Sequence, residues 1–325
     1  MKFRITLPLV ALAVSAAPAV AQEWTPSKNV EIVSSSGPGG ASDRQARTVQ
    51  KLLQAIPGIP SVTVNNRPGG GGTVALTVLA QHPADAHYLY VMQTGILVNR
   101  IVGVASIGYQ DLTPLALLMR EHIIAWVKAD SPLKSAKDVI AALKKDPGGL
   151  SFGLSNTRGN QNHIIIAMLA RVAGVDPKAV KVVVYSSGGQ GITAALGGHV
   201  EVWVGSAASV VPHVKSGAAR TLGIGAAERQ PGPLADVATF REQGIDAVFS
   251  DARGFIGPRG LTPAQVSFWS GSFAKMVQHE DWKSDLARYA WEPDYRNAAD
   301  TRRFLDERSA LLTKILDELG LVKKQ

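Results

Sequence analysis

The chain has 325 residues, with 34 Lys+Arg against 26 Asp+Glu and no Cys. Domains usually run to about 100–200 residues, so two are expected, with enough chain for a full core. Hydrophobic residues at 46% and charged residues at 18% exclude a disordered chain. The lack of Cys excludes disulfides, Cys-ligated zinc, iron–sulfur clusters and thiol catalysis. A net charge of +8 without any basic block gives no nucleic-acid footprint.

Lys2 and Arg4 precede an Ala/Leu/Val-rich stretch over residues 5–20, and Ala19-Val20-Ala21 matches a small-x-small cleavage pattern. An export leader over residues 1–21 is expected, with the mature chain starting at Gln22. The stretch holds Pro8 and Pro18 and is shorter than the ~20 residues of a spanning helix. The mature protein is expected to be soluble, most simply in a bacterial periplasm.

Beyond the leader, strands and helices alternate. An apolar run at 30–36 predicts a strand, broken by Gly37-Pro38-Gly39-Gly40. Ala46, Val49, Leu52 and Leu53 then recur at helical spacing within residues 43–55. A second strand is predicted at 61–64 and a helix at 73–81, joined by Arg67-Pro68 and four glycines; a third strand follows at 88–92. Residues 122–129 read as a strand, and a helix begins at Lys137. Strand, small-residue loop and helix then recur three times. The strands are predicted at 150–154, 180–185 and 200–204, and the helices at 163–173, at 192–196 and up to Gly217. Residues 254–257 form another strand, and 263–319 read as almost wholly helical. This order implies parallel sheets with crossover helices, in two α/β lobes. Pairing of the strands near 122–129 and 254–257 makes residues 124–252 an inserted lobe. Residues 22–123 and 253–325 then build the other lobe.

In open α/β sheets ligands bind at the carboxyl ends of strands, where helices begin. Three small-residue loops suit that place. The first holds Ser36, Gly37, Gly39, Gly40, Ala41, Ser42 and Asp43. The second holds Ser155, Arg158, Asn160 and Gln161. The third holds Ser187, Gly188, Gly189 and Gln190. Glycine lets a ligand approach the backbone, and helix-start N–H groups favour an anion. Gln93-Thr94, Ser206 and Arg253 are further candidate contacts, and Arg158 is a candidate clamp for a second carboxylate. Asp43 reads first as a helix-start acid and second as a ligand contact. Charge-assisted hydrogen bonds contribute roughly 1.5–3 kcal/mol each, so a handful reaches the ~8 kcal/mol of micromolar binding.

Catalytic and cofactor patterns are missing. Ser42 stands at the third glycine position of a dinucleotide fingerprint, and the second strand ends in Asn65-Asn66 with no acid for a ribose. There is no P-loop and no Gly-x-Ser-x-Gly elbow. Two Ser-x-x-Lys matches, at Ser131 and Ser272, lack their companion motifs. The seven His residues show no metal spacing. Binding without catalysis, and without a cofactor or metal, is expected.

The chain resembles the periplasmic solute-binding proteins of tripartite tricarboxylate transporters, the Bug family. The resemblance runs through Pro26-Ser27-Lys28, Gly37-Pro38-Gly39-Gly40 to Asp43, Asn66-Arg67-Pro68-Gly69 and Asp111-Leu112-Thr113-Pro114. It continues through Ala129-Asp130-Ser131-Pro132, Tyr185 to Gly191, Thr193-Ala194-Ala195-Leu196, Glu228-Arg229 and Asp236-Val237-Ala238-Thr239. It ends at Gly257-Pro258 and Leu261-Thr262-Pro263. It implies a type II periplasmic binding protein fold with a ligand cleft between two lobes, closing on a small carboxylate. It implies delivery to a membrane permease of large and small subunits. The grip on the carboxylate would come from the first and third Gly loops, with the second closing the far end. Ser42 stands where the citrate-like branch carries an aromatic. A freely closing binding protein is simplest as a monomer. Two other readings stand beside it: an orphan periplasmic sensor, and, from another class, an exported hydrolase, for which no Ser-centred site is visible.

Overall fold

The computed structural model describes residues 23–323, so the expected leader lies outside the described residues. The first strands, Val30–Ser34 (β1), Val62–Asn66 (β2) and Tyr88–Met92 (β3), are parallel, with β1 in the middle. Helices Ala41–Leu53 (α1) and Thr73–Ala80 (α2) make the crossovers, and Gly95–Ile101 (α3) follows β3. Then comes Thr113–Lys128 (β4), a strand of 16 residues buried along nearly its whole length.

The next segment builds a second parallel set. Ala136–Lys145 (α4) precedes Ser151–Ser155 (β5), Gln161–Val172 (α5), Lys181–Tyr185 (β6), Gly188–Leu196 (α6) and Val202–Ser206 (β7). Ala207–Lys215 (α7) and Ala219–Ile224 (β8) complete it. The chain then returns through Ser250–Gly257 (β9), Pro263–Met276 (α8), Glu280–Tyr289 (α9), Trp291–Arg296 (β10) and Ala298–Glu318 (α10).

β4 carries both lobes. Its residues 113–122 pair antiparallel with β9, which in turn pairs with β3, and residues 117–121 also pair with β10. From Ile123 onward β4 pairs with β7 and β8 instead. Residues 250–252, expected in the inserted lobe, stand in the first sheet, with Ser250 opposite His122. The registers also orient the loops. Ser206, at the carboxyl end of β7, faces Ile123, while Met92, at the carboxyl end of β3, faces Gly254. The carboxyl edges of both parallel sets therefore meet where β4 passes between the lobes.

Several elements depart from the sequence reading. The strand expected at 122–129 begins at Thr113, because an apolar run buried on both faces carries no alternation to mark it. The helical C-terminal stretch is interrupted by β10. Ala290 takes φ +51° and ends α9, and Pro293 is tolerated on a strand paired on one side only. β8 and α3 were not anticipated. α6 starts at Gly188 rather than Ile192, since the Ser187 hydroxyl accepts the Gln190 N–H and offsets the poor helix propensity of its glycines.

Trp203 explains Gly191, the glycine that follows the third loop. A Cβ at Gly191 would lie 1.9 Å from the Trp203 ring, and one at Gly153, its strand partner, 2.7 Å. Gly188 and Gly189 have open space around them. Gly191→Ala is expected to destabilise by at least the ~1–3 kcal/mol of an overpacked core. Gly188→Ala is expected to stay within ~0.5 kcal/mol of wild type. Urea unfolding of the ligand-free proteins separates the two; equal losses would contradict this assignment.

Candidate functional site

The candidate site is the cleft floor where the two carboxyl edges meet. In the first loop, Asp43 sits in the opening turn of α1 and is almost fully buried. Its carboxylate accepts from Gly39 N–H at 2.8 Å, Asn66 Nδ2 at 2.9 Å and Arg47 Nε at 3.0 Å. Burial pushes its pKa up, but Arg47, Asn66 and the Gly39 amide outweigh this and hold it below the usual value. Asp43 thus fixes the Gly loop, with Gly39 at φ +77°. Ser36 Oγ accepts Asp43 N–H at 3.0 Å, and Gly40 N–H reaches Gly37 O. The first-turn N–H groups of Ala41 and Ser42 have no intrahelical acceptor. Ser42 Oγ donates to Gln93 Oε1 at 3.2 Å, and Gln93 Nε2 donates to Ser35 Oγ at 2.9 Å.

The second loop is largely self-contained. Asn160 caps α5 by accepting from Asn162 and His163 N–H, and donates to Ser155 O at 2.6 Å. Arg158 is exposed, and its Nη2 donates to Val182 O at 3.0 Å on β6. It therefore lies along its own lobe's backbone instead of reaching into the cleft. His163 Nδ1 accepts Gly159 N–H at 2.8 Å, so the imidazole is neutral. Burial, with Arg158 adding, pushes its pKa down to about 4. Gln161 points toward Asp251, at 3.5 Å.

The third loop is the open one. Ser187 caps α6, Gln190 Oε1 accepts from Ser186 Oγ, and the first-turn N–H groups of Gly188 and Gly189 have no intrahelical acceptor. The loop starts beside the second, because Ser155 and Tyr185 are ladder partners. Ser187, Gly189 and Gln190 are exposed and make no hydrogen bond to the first loop.

Beneath these loops lies a charged cluster that only one candidate, Arg253, pointed to. Glu121 and Asp251 are directly opposed on β4 and β9 and are both buried. Arg253, two residues along β9, places Nη2 at 2.6 Å from Glu121 and 2.9 Å from Asp251. Thr94 N–H donates to Asp251 at 2.8 Å, and Ser206 Oγ bonds Glu121 from the second lobe. Burial pushes the Asp251 pKa up, against the pull of Arg253. Burial opposes the Glu121 charge too, but Arg253, then Arg44 and Ser206, hold its pKa down. Arg253 Nε and Nη1 have no hydrogen-bond partner among the described residues. The readable signals were a lone acid inside the apolar run of β4 and an i,i+2 Asp/Arg pair on one strand face. Among the described residues no cluster of three His, Asp or Glu side chains could hold a metal.

The structure brings the first loop, Gln93-Thr94, Gln161, Ser206 and Arg253 around this floor, while the third loop makes no hydrogen bond to any of them. Such a floor between two α/β lobes is the architecture of periplasmic solute-binding proteins. The solved structure of R. palustris Rpa4515 with adipate superposes with TM-score 0.83 at 24% identity, over 91% of this chain and 99% of that one. The family model described as tripartite tricarboxylate transporter family receptor matches residues 45–321. Relatives include the UPF0065 protein in the gbd 5' region of Cupriavidus necator, 28% identical over 97% of this chain and 95% of its own. Protein BugT of Bordetella pertussis is 26% identical over 96% and 95%. The chain belongs to the tripartite tricarboxylate transporter receptor family, whose members are solute-binding proteins.

Two outcomes follow for the site's stability. Arg253→Met leaves Glu121 and Asp251 facing each other unneutralised, and is expected to cost about 3–5 kcal/mol in denaturant unfolding. A loss below ~1 kcal/mol would mean the cluster is not held by charge. His163 gives a pH dependence. As pH falls from 6.5 toward about 4, the unfolded chain binds a proton that the folded chain refuses, so stability falls across that window. His163→Asn is expected to flatten that part of the profile; an unchanged slope would assign it to other groups.

Proposed function

We propose that this chain captures a small carboxylate between its lobes in the periplasm and delivers it to a tripartite tricarboxylate-type permease of large and small subunits. The observation that supports this most strongly is the pair of helix starts at the cleft. α1 and α6 belong to opposite lobes, begin at the carboxyl edges of their sheets, and leave the first-turn N–H groups of Ala41-Ser42 and Gly188-Gly189 without intrahelical acceptors. Each start presents unpaired donors and about half a positive charge, which suits a carboxylate. The adipate in the R. palustris structure supports the same ligand class, and membership of a periplasmic receptor family supports the location.

Closure would turn about residues 122–123 and 249–250, where both connections cross between the lobes. A ligand that contacts both lobes shifts an open–closed equilibrium by its differential affinity for the closed form. No bond is made or broken.

Gly189 tests the reading. It has open space around it, so Gly189→Val leaves packing untouched while covering the α6 amides. Ligand at 100 times its Kd adds about 2.7 kcal/mol to wild-type stability, or several degrees in Tm. Wild type is expected to gain that shift with at least one di- or tricarboxylate, and Gly189→Val is expected to lose it with an unchanged ligand-free Tm. A retained shift removes the third loop from the site.

A further inference from the structure

We infer that Arg44, a residue outside all three Gly-loop readings, selects for ligands bearing an anionic group at each end. This rests on the carboxylate-binding reading above and specifies the substrate class of the same cleft. Arg44 lies in the second turn of α1, directly after Asp43. Its Nη1 donates to Gly39 O at 2.7 Å, which holds the guanidinium against the first Gly loop. Its Nη2 donates to Ser209 Oγ at 3.2 Å, on α7 of the other lobe. Its Nε is buried and has no hydrogen-bond partner among the described residues. Arg44 thus spans the cleft with donor capacity to spare.

Charge gives the second reason. Glu121 and Asp251 face Arg253 across the floor, and Arg308 is close enough to Asp251 to feel its charge. An anion brought close to those two carboxylates is repelled by each of them. Arg44 is close enough to Glu121 to help hold its carboxylate ionised, and its positive charge offsets that repulsion on the side of the first loop. Arg158, the other candidate for a second carboxylate, is tied to the backbone of β6. The α6 amides take one end of the ligand, and Arg44 at the first loop takes the other. A planar fork suits a carboxylate there better than a point charge does.

The test compares matched acids that differ by one carboxylate: succinate with butyrate, and adipate with hexanoate. Affinities are measured by calorimetry on the mature wild type, Arg44→Gln, Arg44→Lys and Ser209→Ala. Wild type is expected to prefer a dicarboxylate over its partner by on the order of ten-fold or more. Arg44→Gln is expected to lose that preference by weakening the dicarboxylate alone. Ser209→Ala is expected to keep the preference, since it removes only the link between lobes. Arg44→Lys is expected to fall between, and it decides the matter if Arg44→Gln does not fold. An unchanged preference in the folded Arg44 variants, or equal wild-type affinity for the matched acids, overturns the role of Arg44 alone. Binding of no carboxylate by wild type overturns the carboxylate reading and this inference with it.

Discussion

Two carboxylates opposed on neighbouring strands would repel each other, and burial would magnify that repulsion. Glu121 and Asp251 hold that arrangement where the lobes join, and Arg253 makes it tenable from the same strand face. The cluster gathers its surroundings: Thr94 anchors the loop after β3, Gln161 approaches from α5, and Ser206 reaches in from β7. Buried ion clusters are a poor source of net stability, since desolvation offsets most of the attraction. Their strength is geometric. Each partner has a low-energy position only when the others are in place, so the cluster fixes how the two carboxyl edges meet.

The first and third Gly loops differ in kind. The first is rigidly held, with Asp43 occupied by three donors from its own lobe. The third is open, with little around Gly188 and Gly189. In the proposed carboxylate cleft, one fixed wall and one adaptable rim would keep the anion geometry constant across ligands of different length. The family resemblance and the geometry meet here, because both lobes contribute a helix start.

Much of this was legible in the residues. The rhythm of strand, small-residue loop and helix located both parallel sets, since Gly and Pro punctuate them and crossover helices carry apolar spacing. β3 spans the same residues, 88–92, that its apolar run marks. What escaped was set by tertiary contact. The first half of β4 is buried on both faces and shows no period. β10 exists because β4 offers it an edge, against the charged look of Glu292, Asp294 and Arg296. The floor acids were invisible for a related reason: Glu121 and Asp251 are 130 positions apart in the chain and meet only through strand register. Arg44 was hidden because its partner Ser209 lies on the other lobe. Gly191 looked like part of a ligand loop, and its packing reason, the Trp203 ring, comes from a separate strand.

The path of the chain through β4 also orders its folding. The inserted segment, from Ile123 to the residue before Ser250, holds β5 to β8 and half of β4, so it is contiguous and can condense by itself. The first sheet cannot. β3 must wait for β9 to cover its edge, and β4 must wait for β10, which ends only at Arg296. Contacts this distant in sequence close slowly, since loop entropy is lost before any pairing energy is gained. The half of the molecule that begins the chain is therefore the last to become stable, and a chain shortened before Trp291 keeps an exposed strand edge where its lobes should join.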